Sequence, residues 1–398
     1  MNVEQISKIV EDNKEKAIQF LVDAVQIPSV SGDELNISKF FHQKFDEMGL
    51  NTEVHALDET RPNLISTWKS AEGPTFVFNG HYDVFPPVAS DPGKYGPWAG
   101  KIVDGCLYGR GSVDMKGGLC AAVMAVDFLK QSGFEPKGSV VISCDVDEEL
   151  GGKYGVEYLL DQGLLNYDFG VCMEPTQGMV HIEGGGGLFL KVTYTSETWH
   201  GGVQRNGWVD ALQKAIIAAQ KLYELDDKIR KEKYYEPFDG GAFLSITEFN
   251  AGEAMNVHPS KCSFTIDRRL VPGETPESVK EEICNALESL KNDKVDMSYE
   301  VEVLSRMPAL IADPDAPLVH SALAAYKAVY GKEGKLYKRP GGSDNAKMAE
   351  KYGYCIPNFG PGHDVVETTS PNEHLPIQEY LDFIKIYMLM VIDMLGEK

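Results

Sequence analysis

The sequence predicts an α/β fold, a mostly parallel sheet with helices, into which a separate α+β unit is inserted. Three segments carry the first half of that reading. TFVFNG (75–80), SVVISCD (139–145) and DFGVCM (168–173) are short apolar runs rich in β-branched and aromatic residues, as buried strands are. Helical stretches at 116–131 and 153–162 lie between them, and alternating strands and helices build parallel sheets. The second half rests on the order of elements after Gly184.

There GLFLKVTYTS reads as a strand and residues 209–225 as an amphipathic helix, and AFLSITEFN and SKCSFTIDRRL read as two further strands. A helix at 276–291 and a strand near 298–304 complete the series. The order β-α-β-β-α-β is the ferredoxin-like split motif. The expected division is therefore 1–187 for the first part of the main domain, 188–306 for the insert and 307–398 for the return. The returning part should hold two helices and a glycine-rich loop, Arg339-Pro340-Gly341-Gly342-Ser343-Asp344.

A chain of 398 residues exceeds one ordinary core, in keeping with two domains. With 43% hydrophobic and 25% charged residues it has a soluble globular profile, and its apolar runs are broken by charges, which argues against a membrane span. The N-terminus mixes charges and hydrophobes at helical spacing and has no basic start followed by an apolar stretch, so a cytoplasmic location is expected. Seven cysteines stand singly with no Cys-x-x-Cys pair, which argues against a disulfide framework or a thiolate metal site. A net charge of −22 excludes nucleic acid as a partner, because a polyanion would be repelled.

Each of the three apolar runs ends in side chains that bind metals or carry protons: His81-Tyr82-Asp83, Asp147-Glu148-Glu149 and Glu174. Ligands of such sheets bind outside the carboxyl ends of the strands. A Glu-Glu pair by itself is usually a solvated surface feature. Buried strands seldom end in three acids without cause, and VVISCD does. On an extended chain, neighbouring side chains leave in opposite directions, so Glu148 and Glu149 could divide metal and water between them. Asp83 would share the side of His81 and accept the hydrogen bond of its second ring nitrogen. His81, Asp114, Glu149 and Glu174 thus make an imidazole–carboxylate ligand set, with Glu148 left free as a base. Those are the parts needed to hydrolyse an amide near neutral pH.

His81-Tyr82-Asp83, Gly109-Arg110-Gly111-Ser112-Val113-Asp114-Met115-Lys116-Gly117-Gly118, Asp147-Glu148-Glu149 with Gly151-Gly152, and Met173-Glu174-Pro175-Thr176 occur in this order. Together they resemble the signature blocks of the co-catalytic zinc aminoacylase and carboxypeptidase family. That family includes acetylornithine deacetylase, succinyl-diaminopimelate desuccinylase and glutamate carboxypeptidase. The resemblance implies that His81 and Glu174 hold one ion, Glu149 the other, and that Asp114 bridges them. It makes Glu148 the base that activates water and Asp83 the support of His81. It implies Zn2+, one or two ions per chain, with Co2+ or Mn2+ able to substitute. The implied substrate is an N-acyl amino acid or a small peptide.

Thr198-Trp199-His200-Gly201-Gly202 is similar to the family's lid histidine, so His200 would reach the partner subunit's site in a homodimer and stabilise the oxyanion. Asn256-Val257-His258-Pro259 resembles a substrate-contacting turn, which implicates Asn256. Asp267-Arg268-Arg269 resembles an Asp-x-Arg pattern that places the substrate-carboxylate arginine at Arg269, whose fork suits that task. Gly342 and Ser343 fall in a loop similar to one that lets backbone approach substrate.

One block departs from the family. Its second metal site is usually closed by a histidine in His-x-x-Asn-Glu, whereas this chain has Thr369-Ser370-Pro371-Asn372-Glu373. His363, Glu367 or His374 could substitute, or nothing does. The incomplete site also leaves a second reading open, a member that binds or regulates without hydrolysis. The run Gly184-Gly185-Gly186-Gly187 precedes a strand rather than a helix, so it reads as a hinge and not as a phosphate-binding turn.

Overall fold

The computed structural model describes residues 1–88, 90–203, 208–291, 295–352, 356–363 and 370–396. Contacts divide the chain into two units. One comprises Met1–Ile182, Ala312–Tyr337 and Ser343–Lys398, the other Glu183–Ile311 with Lys338–Gly342.

The first unit is built on five strands: β1 (Asn51–His55), β2 (Asn63–Lys69), β3 (Thr75–His81), β4 (Ser139–Asp145) and β5 (Phe169–Cys172), in the order β1-β2-β4-β3-β5. β3 runs parallel to both β4 and β5, while β1 and β2, which the sequence reading does not single out, extend the sheet antiparallel. The register pairs His81 with Asp145 and Asn79 with Cys172, so the parallel strands end together at one rim. All seven residues of β4 are buried, because helices cover the sheet and leave no face for polar side chains. Lys116–Gln131 packs on β3 and β4 and against the C-terminal helix Ile377–Leu395. Each fully buried aliphatic or aromatic side chain contributes roughly 1.5–3 kcal/mol, which makes this core the main source of rigidity for the rim.

Glycine sets how closely these elements approach. A Cβ on Gly118 would stand 2.2 Å from the Met173 carbonyl oxygen, so only glycine lets the start of Lys116–Gln131 lie against the segment that carries Glu174.

The second unit is the expected ferredoxin-like α+β fold. Its strands β6 (Gly186–Thr195), β7 (Phe243–Ala251), β8 (Lys261–Leu270) and β9 (Tyr299–Met307) form an antiparallel sheet ordered β7-β8-β6-β9. Burial along β6 alternates after its first residues, because helices Ala211–Glu232 and Pro276–Glu288 cover one face. The first of these helices runs seven residues past the expected 225. Asp210 and Gln213 cap its start reciprocally, and a buried Ile229 with the pair Asp226–Arg230 carries it onward.

The returning segment departs from expectation. Among the described residues it holds three helices rather than two: Pro317–Tyr330, Asp344–Tyr352 and Ile377–Leu395. The additional one starts inside the glycine-rich loop, where the Ser343 carbonyl accepts the Ala346 amide. No described helix is long and apolar enough to cross a membrane.

Candidate metal centre

His81 ends β3 and is 1% exposed. Its Nε2 lies 3.3 Å from Asp114 Oδ1, 3.7 Å from Glu174 Oε1 and 3.9 Å from Glu148 Oε2. Two overlapping ligand sets result, His81 with Glu148 and Glu174, and His81 with Asp114 and Glu149, each with its atoms within 4.8 Å of one another. His81 Nε2, Asp114 Oδ1 and Glu149 Oε1 are buried without a hydrogen-bond partner. Folded proteins rarely leave such atoms unpaired, because each costs on the order of 1–3 kcal/mol. One imidazole and four carboxylates converging on unsatisfied atoms fit a divalent cation.

The electrostatics agree. Burial pushes Glu148 well above the usual carboxylate range, and the charges of Glu174, Asp344 and Asp114 add to this while His81 opposes it. Burial and then Asp114 raise Glu149 in the same way. For His81 burial works against the charged ring, but contacts with Asp114 and Asp83 outweigh it and hold the pKa well above normal. Crowded acids of this kind are what a bound cation relieves.

Glu148 and Glu149 do divide between two sets of neighbours, but not as an extended chain. Asp147 takes a left-handed conformation (φ 70°), and Glu148–Leu150 form a single 3-10 turn. The Asp147 carbonyl accepts the amides of Leu150 (3.1 Å) and Gly152 (2.6 Å), which closes the turn. A tight turn, not strand alternation, separates the two carboxylates.

Asp83 also differs from expectation. The nearest acceptor for His81 Nδ1 is the Asp83 carbonyl oxygen at 2.9 Å, with carboxylate Oδ1 at 3.5 Å. The carboxylate is occupied elsewhere. It accepts from Ser31 Oγ at 2.6 Å and from the Glu148 amide at 3.2 Å. Burial would raise its pKa, but His81, Ser31 and the Glu148 amide lower it below the ordinary carboxylate value.

Sequence reasoning missed a role for Glu373. Its Oε2 accepts Arg110 Nη1 (2.8 Å) and the Gly111 amide (3.0 Å), and its Oε1 accepts the amides of Val113 (2.8 Å) and Asp114 (3.1 Å). Burial pushes this carboxyl up to about 7 against the pull of Arg110 and the amides. One carboxylate thus fixes the loop that presents Asp114. The Asn-Glu end of the departing C-terminal block was the available signal. Glu373→Gln would set an amide NH2 against backbone N–H groups. It is expected to weaken metal binding about 10- to 100-fold, as loss of ligand support does. Chelator competition measures this, and unchanged affinity would remove the clamp from metal binding.

Neither ligand set includes His363 or His374. His363 Nε2 lies 2.6 Å from Gln177 Nε2, while His374 stacks on Tyr108 with Nδ1 2.9 Å from the Asn372 carbonyl oxygen. Thr369 and Glu367 lie outside the described residues. Ser343, in the first unit, is 1% exposed, and its hydroxyl donates to Asn345 Oδ1 at 2.8 Å. That hydroxyl serves an interior polar network.

The remaining candidates belong to the second unit. His200 is exposed, and its Nε2 lies 3.4 Å from Asn256 Nδ2, so two turns 56 residues apart in sequence meet. The Gly201 amide donates to the Asn256 carbonyl at 2.7 Å. Arg268 is fully buried and paired with Glu274, whereas Arg269 keeps a half-exposed guanidinium bound to Asp267 (Nε–Oδ1 2.8 Å) over the Phe189 ring. A Cβ on Gly342 would lie 2.6 Å from the Gly185 carbonyl oxygen, so this glycine is required for close backbone packing.

A buried histidine shared by two carboxylate sets, at the carboxyl rim of parallel strands, defines a metallohydrolase centre. The model of peptidase family M20/M25/M40 matches residues 77–393, and the chain belongs to that family. It is a metal-dependent hydrolase of amide bonds. A succinyl-diaminopimelate desuccinylase of Methylorubrum populi is 31% identical over 76% of this chain and 80% of its own length. An uncharacterized metallohydrolase of Methanococcus maripaludis is 26% identical over 94% and 98%. Among solved structures, the dipeptidase Dug1p of Saccharomyces cerevisiae superposes with a TM-score of 0.75 at 18% identity, covering 99% of both chains.

Proposed function

We propose that this hydrolase removes the acyl group from an N-acyl amino acid, in a zinc-dependent reaction with Glu148 as general base. The observation that carries the reading is the pair of ligand sets sharing His81, whose Nε2 is buried and unpaired. In this reading His81 and Glu174 would hold one ion and Glu149 the other, with Asp114 shared by both. When bound, the metal polarises the scissile carbonyl and makes water acidic enough to react near neutral pH.

The chain's own groups do the rest. Glu148 accepts the proton of the attacking water and returns it to the leaving nitrogen. Asp83 holds the Glu148 amide and the imidazole ring of His81 in place. His200, Asn256 and Arg269 are the groups proposed for the oxyanion, the substrate backbone and the substrate carboxylate. Gly342 and Ser343 are proposed for the loop whose small residues let backbone approach the substrate. Exposed Ile216, Ile217 and Tyr223 on Ala211–Glu232 and exposed Val303 and Leu304 on β9 support a homodimer through the second unit. A cytoplasmic location agrees with cysteines that stand singly and mostly buried.

The similarity to a desuccinylase favours a dicarboxylic acyl group. Zinc-loaded protein assayed on N-succinyl, N-acetyl and N-formyl amino acids and on dipeptides should turn over an N-acyl amino acid fastest. Exclusive turnover of dipeptides would replace deacylation by dipeptidase activity.

A further inference from the structure

Arg61 lies outside both ligand sets, yet it is buried with its side chain only 10% exposed. It grips two carboxylates. Its Nε and Nη2 donate to Glu34 Oε2 (3.0 Å) and Oε1 (2.6 Å), and Nη2 also donates to Asp147 Oδ1 at 2.7 Å. The guanidinium stacks 4.6 Å above the Tyr154 ring, and the Tyr154 amide donates to Asp147 Oδ2 at 3.1 Å. Glu34 is fully buried, and Asp147 is 3% exposed.

Burying an arginine with two acids carries a desolvation cost that only close, well-aligned hydrogen bonds repay. The geometry held here is the left-handed Asp147 (φ 70°), a conformation uncommon outside glycine. That residue directly precedes Glu148 and aims the turn that brings Glu148 Oε2 within 3.9 Å of His81 Nε2. The same short N-terminal turn braces the far side, since Ser31 binds the Asp83 carboxylate that accepts the Glu148 amide. Lysine is a poor replacement for the fork, because its single nitrogen cannot offer Glu34 two parallel donors while spanning to Asp147.

We propose that Arg61 is a positioning residue for the general base, acting through Asp147, with Glu34 as its anchor. This rests on the reading of Glu148 as the base. Arg61 touches neither ligand set, so its removal should affect turnover before metal content.

Arg61→Lys, Asp147→Ala, the double variant and Glu148→Gln would be compared on the N-acyl amino acid turned over fastest, with metal content by elemental analysis. Hydrogen exchange of the peptide spanning residues 147–152 would be followed without substrate. Arg61→Lys and Asp147→Ala should each lower kcat about 10- to 100-fold, the cost of a misplacement near 1 Å. KM should stay within about twofold, metal content should be that of the wild type, and exchange at 147–152 should quicken in both. The double variant should be no worse than its more severe parent, because the two residues act as one unit. Wild-type kcat in both single variants, multiplying losses in the double, or metal lost in step with kcat would each overturn the proposal. Glu148→Gln separates the two levels: if it turns over substrate normally with metal bound, the base assignment itself falls, whatever Arg61 does.

Discussion

Glu148→Gln is expected to lower kcat by about 10²-fold or more while leaving the fold and the bound metal intact. The substitution keeps the shape of the side chain and removes its capacity to take a proton. Glu148 sits in the ligand set that contains Glu174, so metal content must be measured alongside turnover. Full metal with little turnover identifies a base, metal lost with turnover identifies a ligand, and near-normal turnover excludes both roles. The same variant tests the dimer. Mixed with inactive His200→Ala protein, it should regain activity if His200 serves the partner's site. Proven subunit exchange without regained activity would confine His200 to its own chain.

His81→Ala should have the larger effect. His81 is the one residue common to both ligand sets and, in the assignment proposed above, a direct ligand of one ion, so its removal should strip that ion first. Metal catalysis supplies several kcal/mol of barrier lowering, and at 1.36 kcal/mol per tenfold its loss corresponds to about 10³-fold or more in kcat. Added Zn2+ should raise the melting temperature of the wild type, through binding to the folded state, and should raise that of His81→Ala less. Elemental analysis gives the direct reading. Two tightly held ions in His81→Ala would show that neither depends on the imidazole.

Much of this was legible in the chain as written. Strand burial is continuous where helices cover the sheet, so TFVFNG and SVVISCD read as buried strands of a parallel sheet, while GLFLKVTYTS read as the first strand of the insert. His81, Glu148, Glu149 and Glu174 stand directly after such strands, and local order alone put them on one rim. The ferredoxin-like insert was readable for the same reason, since its elements follow one another with clear periodicity.

Tertiary structure decided how those groups are held. Glu373 reaches the Asp114 amide across 259 positions, and Arg61 reaches Asp147 across 86; no periodicity signals a pairing of that span. Proximity also supplied partners that the sequence does not announce. The Ser343 hydroxyl donates to Asn345, and the Asp83 carboxylate, 3.5 Å from His81 Nδ1, also accepts from Ser31 and the Glu148 amide. The left-handed Asp147 belongs to this class as well. The sequence Asp-Glu-Glu fits an extended end or a tight turn equally, and contacts such as those of the Arg61 guanidinium, the Tyr154 amide and the amides of Leu150 and Gly152 select the turn. The sequence by itself determined which chemical groups arrive at the rim, because strand periodicity and order are local. Their orientation was decided by the tertiary structure, because a buried polar group takes whichever partner folding brings within hydrogen-bond reach.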